Sequence, residues 1–472
     1  MVIILLLLFF IVALIFSYIK LDKDIINPGV IFAAMYVVSV GCAVININRW
    51  NIQMSWPAFA VLALGGVEFI GISILIYKYY KKKYFDVLTV NNNENTSDVK
   101  RVSGVLVIAI CLYSIVAIGL MVKGILDIAG AFGEYHSFSE ALTLYKYNAS
   151  YTVQASLPSY VTIILKPVIA CAYIMLFLFL KNMIFMEENI KQKIIKYWYY
   201  LLPVVLYILQ RLMESNRGAI IDFVAAGITM YFILWNQRYG WKRLVSVKTI
   251  LKLVVIACVG LILFYFSASL IGRINTKGLF EYITYYCGGS IECFNRYIQN
   301  PPAKSEIFGE ETFYHLIVNL DSLGITNFNL QATQSGHFDF QYYNDVMIGN
   351  IYTAYRRWIQ DFGILGAAIL QAIMALFFNI FYQKIRVWRL RKKNNEFAII
   401  LFSYLSYCIY LHPIDGYFYL ETFSKSTIAV LVMLYVMYWI VKNVEISYSE
   451  RNLKISVWKK QWEFSFNNKR KV

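Results

Sequence analysis

Charge is scarce in this chain. Asp, Glu, Lys and Arg make up 15% of its 472 residues, where a soluble domain carries about 25%. Acids are the scarcer sign, 28 against 44 basic residues. That composition excludes an ordinary soluble enzyme or binding module. Histidine is rarer still. No two of the four (His136, His315, His337 and His412) have metal-ligand spacing on one helix, and no CxxC or HExxH pattern occurs. No metal site is expected. No glycine-rich phosphate loop or dinucleotide fingerprint is found, so no cofactor is expected either. No internal repeat is visible, which removes the inverted-repeat signature of many transporters. Of the seven cysteines, five (Cys42, Cys111, Cys171, Cys258 and Cys408) lie in apolar runs and read as small hydrophobes. Cys287 and Cys293 share a polar segment and can pair if it faces an oxidising compartment. Their spacing leaves that open.

Apolar residues fill the space that charge leaves: 59% of the chain is hydrophobic and 17% aromatic. Runs near the roughly 20 residues that a bilayer requires recur at 2–18, 30–47, 58–77, 104–122, 159–180, 198–212, 219–235, 253–271, 362–382, 397–411 and 426–441. The expected fold is an all-α polytopic membrane protein of about eleven transmembrane helices. It forms one integral membrane domain over 1–472. One large loop, 272–361, is inserted between the eighth and ninth spans and is expected to pack as a small cap, because structureless loops of that length are uncommon. The first run has no basic n-region and no small-residue cleavage site, and reads as an uncleaved span. The net charge of +16 suits nucleic acid on its own. Most of it falls in alternate loops, however, as the positive-inside rule requires, so the expected partner is the lipid bilayer and not nucleic acid. The rule puts the loop 78–101 and the tail after Lys442 in the cytoplasm. The N-terminus and the 272–361 loop are then outside.

The stretch GNIYTAYRRWIQDFGILG (349–366) closes that loop and enters an apolar helix. Arg356 and Arg357 sit there among Tyr352, Tyr355 and Trp358, a cationic and aromatic patch suited to a lipid-linked anion. Arginine suits phosphate because its planar fork makes bidentate, charge-assisted bonds. Arg273 marks the other end of the loop. Arg217 lies in ESNRG (214–218), a tight turn between two spans where Ser215 and Asn216 are candidate N-caps and free backbone N–H groups favour an anion. Arg211 lies a turn and a half earlier. An interfacial arginine that snorkels to headgroups is the alternative for Arg217. Lys166, inside the fifth run, is a candidate binding residue or a partner of Asp222 or Glu68. Arg217, Arg273 and Arg356 are expected to line one cavity, with Arg357 more tolerant of change and Arg296 on the surface of the cap. For proton transfer the favoured base is His337, in a polar turn before the arginine patch, with Glu310 as the carboxylate alternative. Both also read as surface residues.

Four stretches carry a family resemblance: ESNRGAI (214–220), YCGGSIECFNRYI (286–298), IFGEETF (307–313) and GNIYTAYRRWIQDFG (349–363). With the span pattern, they resemble the Wzy-type oligosaccharide repeat-unit polymerases, the O-antigen polymerase family of bacterial envelope enzymes. The GGSI piece departs from that family's glycine-proline form. The resemblance implies an inverting GT-C-like glycosyltransferase of the cytoplasmic membrane, acting on its extracytoplasmic face. It implies undecaprenyl-pyrophosphate-linked oligosaccharide as substrate and a chain-length regulator protein as a partner. Catalytic roles would fall to Arg217, Arg273, Arg356, His337 and Glu310, and substrate binding to Arg211, Arg357, Lys166, Tyr352 and Tyr355. An O-antigen-type ligase shares the chemistry. A lipid-linked oligosaccharide flippase shares the need for arginines but requires them along a central path.

Overall fold

A computed structural model describes residues 1–84, 102–151, 156–214, 216–241, 260, 262, 265–266, 278–330, 338–390, 395–449, 452–457 and 460–465. Helices α1 (Val2–Lys20), α2 (Pro28–Ile45) and α3 (Trp56–Lys83) open the chain. Helices α4 (Gly104–Phe132), α5 (Phe138–Tyr151), α6 (Ser159–Phe185), α7 (Ile190–Tyr197), α8 (Leu202–Met213) and α9 (Gly218–Tyr239) follow. Then come α10 (Leu279–Gln299), α11 (Tyr314–Ser322), strands β1 (Gln341–Tyr343) and β2 (Val346–Gly349), and the long α12 (Ala354–Leu390). The chain ends with α13 (Glu396–Leu405), α14 (Tyr407–Tyr410), α15 (Tyr417–Thr422), α16 (Lys425–Asn443) and strands β3 (Val444–Ser449), β4 (Asn452–Val457) and β5 (Lys460–Ser465).

Among the described residues, eight helices are long and apolar enough to cross a membrane: α1, α2, α3, α4, α6, α9, α12 and α16. The protein is a multi-pass membrane protein. Local sequence starts these helices where it should. Asn27 accepts a hydrogen bond from Gly29 N ahead of α2, Ser55 from Ala58 N ahead of α3, and Ser103 from Leu106 N ahead of α4. Pro28 and Pro57 sit in first turns, where a missing N–H costs nothing. Lys81, Lys82 and Lys83 close α3, where cations suit the helix dipole. Leu8, Val12, Ile15 and Phe16 of α1 remain exposed, as expected of a face turned to lipid.

The eight helices fall on eight of the eleven expected runs. The run at 253–271 lies outside the described residues except for isolated positions. The run at 198–212 is a 3-10 turn, Trp198–Leu201, leading into the 12-residue α8. That helix is about 18 Å long, short of the roughly 30 Å hydrocarbon core. The run at 397–411 is interrupted between α13 and α14. Helices dominate, but two small antiparallel sheets were not foreseen. One is the β1–β2 hairpin, turning through Asn344 with φ 48°. The other is the meander β3–β4–β5 in the basic tail.

The chain divides into two compact units. The first comprises Met1–Asn92, Tyr239–Ala398 and Leu405–Thr427. Its membrane core joins α1, α2 and α3 through Leu21, Val30, Ala33, Ile70 and Tyr77. Helix α10 packs along α2, and α12 along α3. Gly288 and Gly289 make the α10 contact possible. A Cβ on Gly288 would lie 2.6 Å from Ala43 N of α2, and one on Gly289 2.3 Å from the Ile348 carbonyl of β2. A side chain at either position would push the backbones apart. Tyr314, Ile317 and Leu330 of the long segment form a separate apolar cluster with Leu420. The second unit comprises Asn93–Arg238, Ile399–Tyr404 and Ile428–Val472. Its core joins α4, α5 and α6 through Met121, Ile125, Leu142, Tyr145 and Leu165.

Candidate functional site

Helix α12 is broken. Gly363 has φ 67° and ψ −175°, so residues 354–362 form a short helix of their own before the membrane span begins. The backbone there is in a region that favours glycine. The short helix therefore departs from the axis of the span, and the arginine pair rides on it.

Its inner face is apolar. Trp358 is fully buried, with its ring centroid 5.4 Å from that of His412 and 5.8 Å from that of Tyr419. Tyr355 lies 5.2 Å from His412 and is packed so close to Gly65 that a Cβ there would sit 2.0 Å from its hydroxyl oxygen. The His412 carbonyl accepts from Ala354 N at 3.1 Å, and Tyr36 Oη lies 2.9 Å from its Nδ1. Burial pushes the His412 imidazole down to about 3, so it is neutral at physiological pH.

Adjacent positions on a helix point about 100° apart, and the two arginines go separate ways. Arg357 turns inward. Its Nε and Nη2 donate to the two Asp415 carboxylate oxygens at 2.6 and 2.8 Å, and its Nη1 donates to the Glu311 carbonyl at 3.2 Å. Only 4% of it is exposed. Arg357, expected to be the more tolerant of change, thus sits in a buried ion pair that joins its short helix to Asp415. Arg356 turns toward a cavity. Its Nη1 donates to Glu311 Oε2 at 2.9 Å, and its guanidinium carbon lies 3.4 Å from the Phe338 ring centroid, 4.7 Å from that of Tyr352 and 5.3 Å from that of Tyr297. Arginine stacks on aromatic faces in this way while keeping its in-plane N–H groups for other partners. Its Nε is buried and makes no hydrogen bond among the described residues.

Asp361 places the carboxylate that faces Arg356. It accepts from Ser305 Oγ at 2.7 Å, from Glu311 N and from Thr312 N at 2.7 Å. Thr312 Oγ1 donates in turn to the Arg357 carbonyl at 3.2 Å. IFGEETF and RRWIQD are thus one hydrogen-bonded assembly. Burial pushes the Glu311 carboxyl up to about 7, against the pull of Arg356 and Arg357, with Asp361 and Asp415 adding like charge. Glu310, the expected carboxylate, instead accepts from Ile307 N at 3.3 Å and is 8% exposed. The residue next to it meets the arginine.

The cavity holds about 580 Å³. One wall is the polar face of α10, with Glu292, Asn295, Arg296 and Gln299. Asp339, Gln341, Tyr352 and Arg356 also line the cavity. Arg296, expected on the cap surface, lines this cavity. Its Nε donates to Glu292 Oε1 at 2.8 Å and its Nη1 to the Tyr342 carbonyl at 2.7 Å. Glu292 is 2% exposed, and burial raises its carboxyl despite Arg296.

Of the expected site residues, Arg356 and Tyr352 line the cavity, while Arg357, Glu310 and Tyr355 are buried and are not part of its lining. Arg273 and His337 lie outside the described residues. Arg211, Arg217 and Lys166 belong to the other unit. There Arg211 Nη1 donates to Glu214 Oε2 at 2.6 Å, and its guanidinium lies over Tyr207 at 5.1 Å. Arg211 and Glu214 are among the charged neighbours of Lys166. Asn216 caps α9 through Ala219 N at 3.3 Å, and Arg217 is 4% exposed. Cys287 and Cys293 do not pair. They are free thiols six positions apart on α10, about 9 Å along its axis, beyond disulfide reach. Cys293 Sγ donates instead to the Gly349 carbonyl at 3.5 Å.

Sequence reasoning missed Glu311, Arg296, Phe338 and Asp415. Arg296 carried a signal, since Glu292 lies four positions before it, the spacing of an ion pair on a helix. Asp415 carried none, because its pairing with Arg357 spans 58 residues. No family model, curated protein or solved structure matches this chain.

Proposed function

We propose that this protein is a membrane glycosyltransferase that joins oligosaccharide repeat units carried on undecaprenyl pyrophosphate, at the extracytoplasmic face of the cytoplasmic membrane. The observation that carries the reading is Arg356, stacked on aromatic rings at the wall of a polar cavity and next to the entrance of an apolar helix. A lipid-borne diphosphate needs a cation at that level, beside room for its sugar. About eleven spans and a GT-C plan belong to this reading, as does the resemblance of the four sequence stretches.

In the proposed step an acceptor hydroxyl oxygen attacks the anomeric carbon from the face opposite the diphosphate. The new C–O bond forms, the bond to the diphosphate oxygen breaks with its electron pair, and configuration inverts. Arg356 stabilises charge that grows on the leaving diphosphate. Glu311 then loses its partner to the substrate. Its carboxyl, at about 7 while Arg356 still pulls it down and higher once that pull goes to the substrate, is our candidate to accept the hydroxyl proton, which makes it the carboxylate rival of His337. Holding two tethered substrates together supplies further rate.

Deletion of the gene in its native host tests the reading. The expected result is loss of long surface polysaccharide, with single lipid-linked repeats still present. Unchanged polymer, or loss of the single repeats as well, contradicts it. Complementation with Arg217→Ala or Arg273→Ala asks whether those arginines serve the same step.

A further inference from the structure

We propose that the cavity beside Arg356 is a subsite for an uncharged saccharide of a few rings, and that it rejects acidic sugars. The proposal rests on the glycosyltransferase reading and adds the class of sugar. Its first support is charge. The four ionisable groups that line the cavity with an acidic or guanidinium side chain, Glu292, Arg296, Asp339 and Arg356, sum to zero. Both guanidiniums are already engaged, Arg296 by Glu292 and Arg356 by Glu311. Among the described residues, a sugar carboxylate therefore meets no uncommitted cation in the lining away from the diphosphate end, and it meets Asp339 there as a like charge.

The second support is the density of amides. Asn51, Gln53, Asn295, Gln299, Asn300 and Gln341 all line the cavity. Each amide offers a donor and an acceptor, which is what a vicinal pair of sugar hydroxyls requires. Two of the six shape the wall. Asn295 Nδ2 and Gln299 Nε2 both donate to the Gln53 carbonyl at 3.1 Å, and Asn295 Oδ1 accepts from Ser55 N at 2.9 Å. Asn51, Gln53 and Asn300 make no side-chain hydrogen bond among the described residues, and remain for a ligand. A volume of about 580 Å³ lies in the range of roughly 300–1,000 Å³ that encloses compact ligands. It suits a short saccharide and not a long polymer.

The test uses the full chain in nanodiscs, with saturation-transfer NMR and calorimetry. The probes are a panel of neutral trisaccharides, with and without N-acetyl groups, and trigalacturonate as their charged counterpart. A neutral member is expected to bind at millimolar concentration or better, and trigalacturonate not to. The double variant Gln53→Ala/Asn300→Ala should weaken neutral binding at least about tenfold, the loss of two hydrogen bonds. Asp339→Asn should admit trigalacturonate. Wild-type binding of trigalacturonate as tight as any neutral sugar overturns the proposal. So does the absence of neutral binding, or unchanged binding by the double variant. If polymer is made while these variants bind sugar normally, the subsite fails and the glycosyltransferase reading stands. If the sugars bind as expected while the gene deletion leaves polymer intact, the subsite stands and that reading fails.

Discussion

Replacing Arg356 by lysine keeps the charge and removes the planar fork that stacks on Phe338 and meets Glu311. Arg356→Lys should therefore lose about 10²–10³ in turnover, nearly as much as Arg356→Ala. Rates measured on folded, membrane-inserted protein check this, and a lysine variant near wild-type activity removes Arg356 from the chemistry. Arg357 fails differently. Breaking its buried pair with Asp415 by Arg357→Ala leaves an uncompensated carboxylate and should cost about 3–5 kcal/mol of stability. The readout is yield and thermal unfolding of the purified protein, not a kinetic parameter. Glu311 sets the pH dependence. A base acts only when ionised, and burial places this carboxyl at about 7. With the Arg356 pair intact in the free enzyme, kcat/KM should then rise with pH through about 7 and level off above it. Glu311→Gln should remove both the rise and most of the rate. A histidine base at His337 gives a similar profile, so the variants separate the two: a pH rise that survives in Glu311→Gln and vanishes in His337→Ala assigns the proton to His337.

At the scale of elements, the α2–α10–β2 contact makes the sharpest prediction. Gly288→Ala places a methyl 2.6 Å from backbone of α2, which has no flexible side chain to move aside. It should separate α10 from α2 and abolish folded protein, while Gly71→Ala, which meets nothing within 4 Å, should be neutral or slightly stabilising. A temperature ramp on both proteins decides, and a Gly288→Ala protein as stable as Gly71→Ala contradicts the packing described. The same elements show what sequence reveals. Membrane helices were legible because hydropathy over some twenty residues is a local signal. The arginine patch stood out because charge beside an apolar run is costly. The inward turn of Arg357 and the choice of Glu311 over Glu310 depend on contacts 45 to 58 residues apart. Spacing along the chain does not record those. The strands of the tail were hidden beneath its charge, which had already been explained by topology.

At the scale of the whole molecule, the basic-loop alternation predicts orientation. A cysteine placed at position 93 should label only after the membrane is opened, and one at position 345 should label on intact cells. The reverse result puts the cavity in the wrong compartment for a lipid-linked donor. The most direct measurement is polymerisation with purified components: the protein in nanodiscs or proteoliposomes, given lipid-linked repeat units from its native host and no nucleotide sugar. The account predicts a ladder of products, each one repeat longer than the last, formed by the wild type and absent with Arg356→Lys. No ladder from the folded wild-type protein, or the same ladder from both, contradicts it.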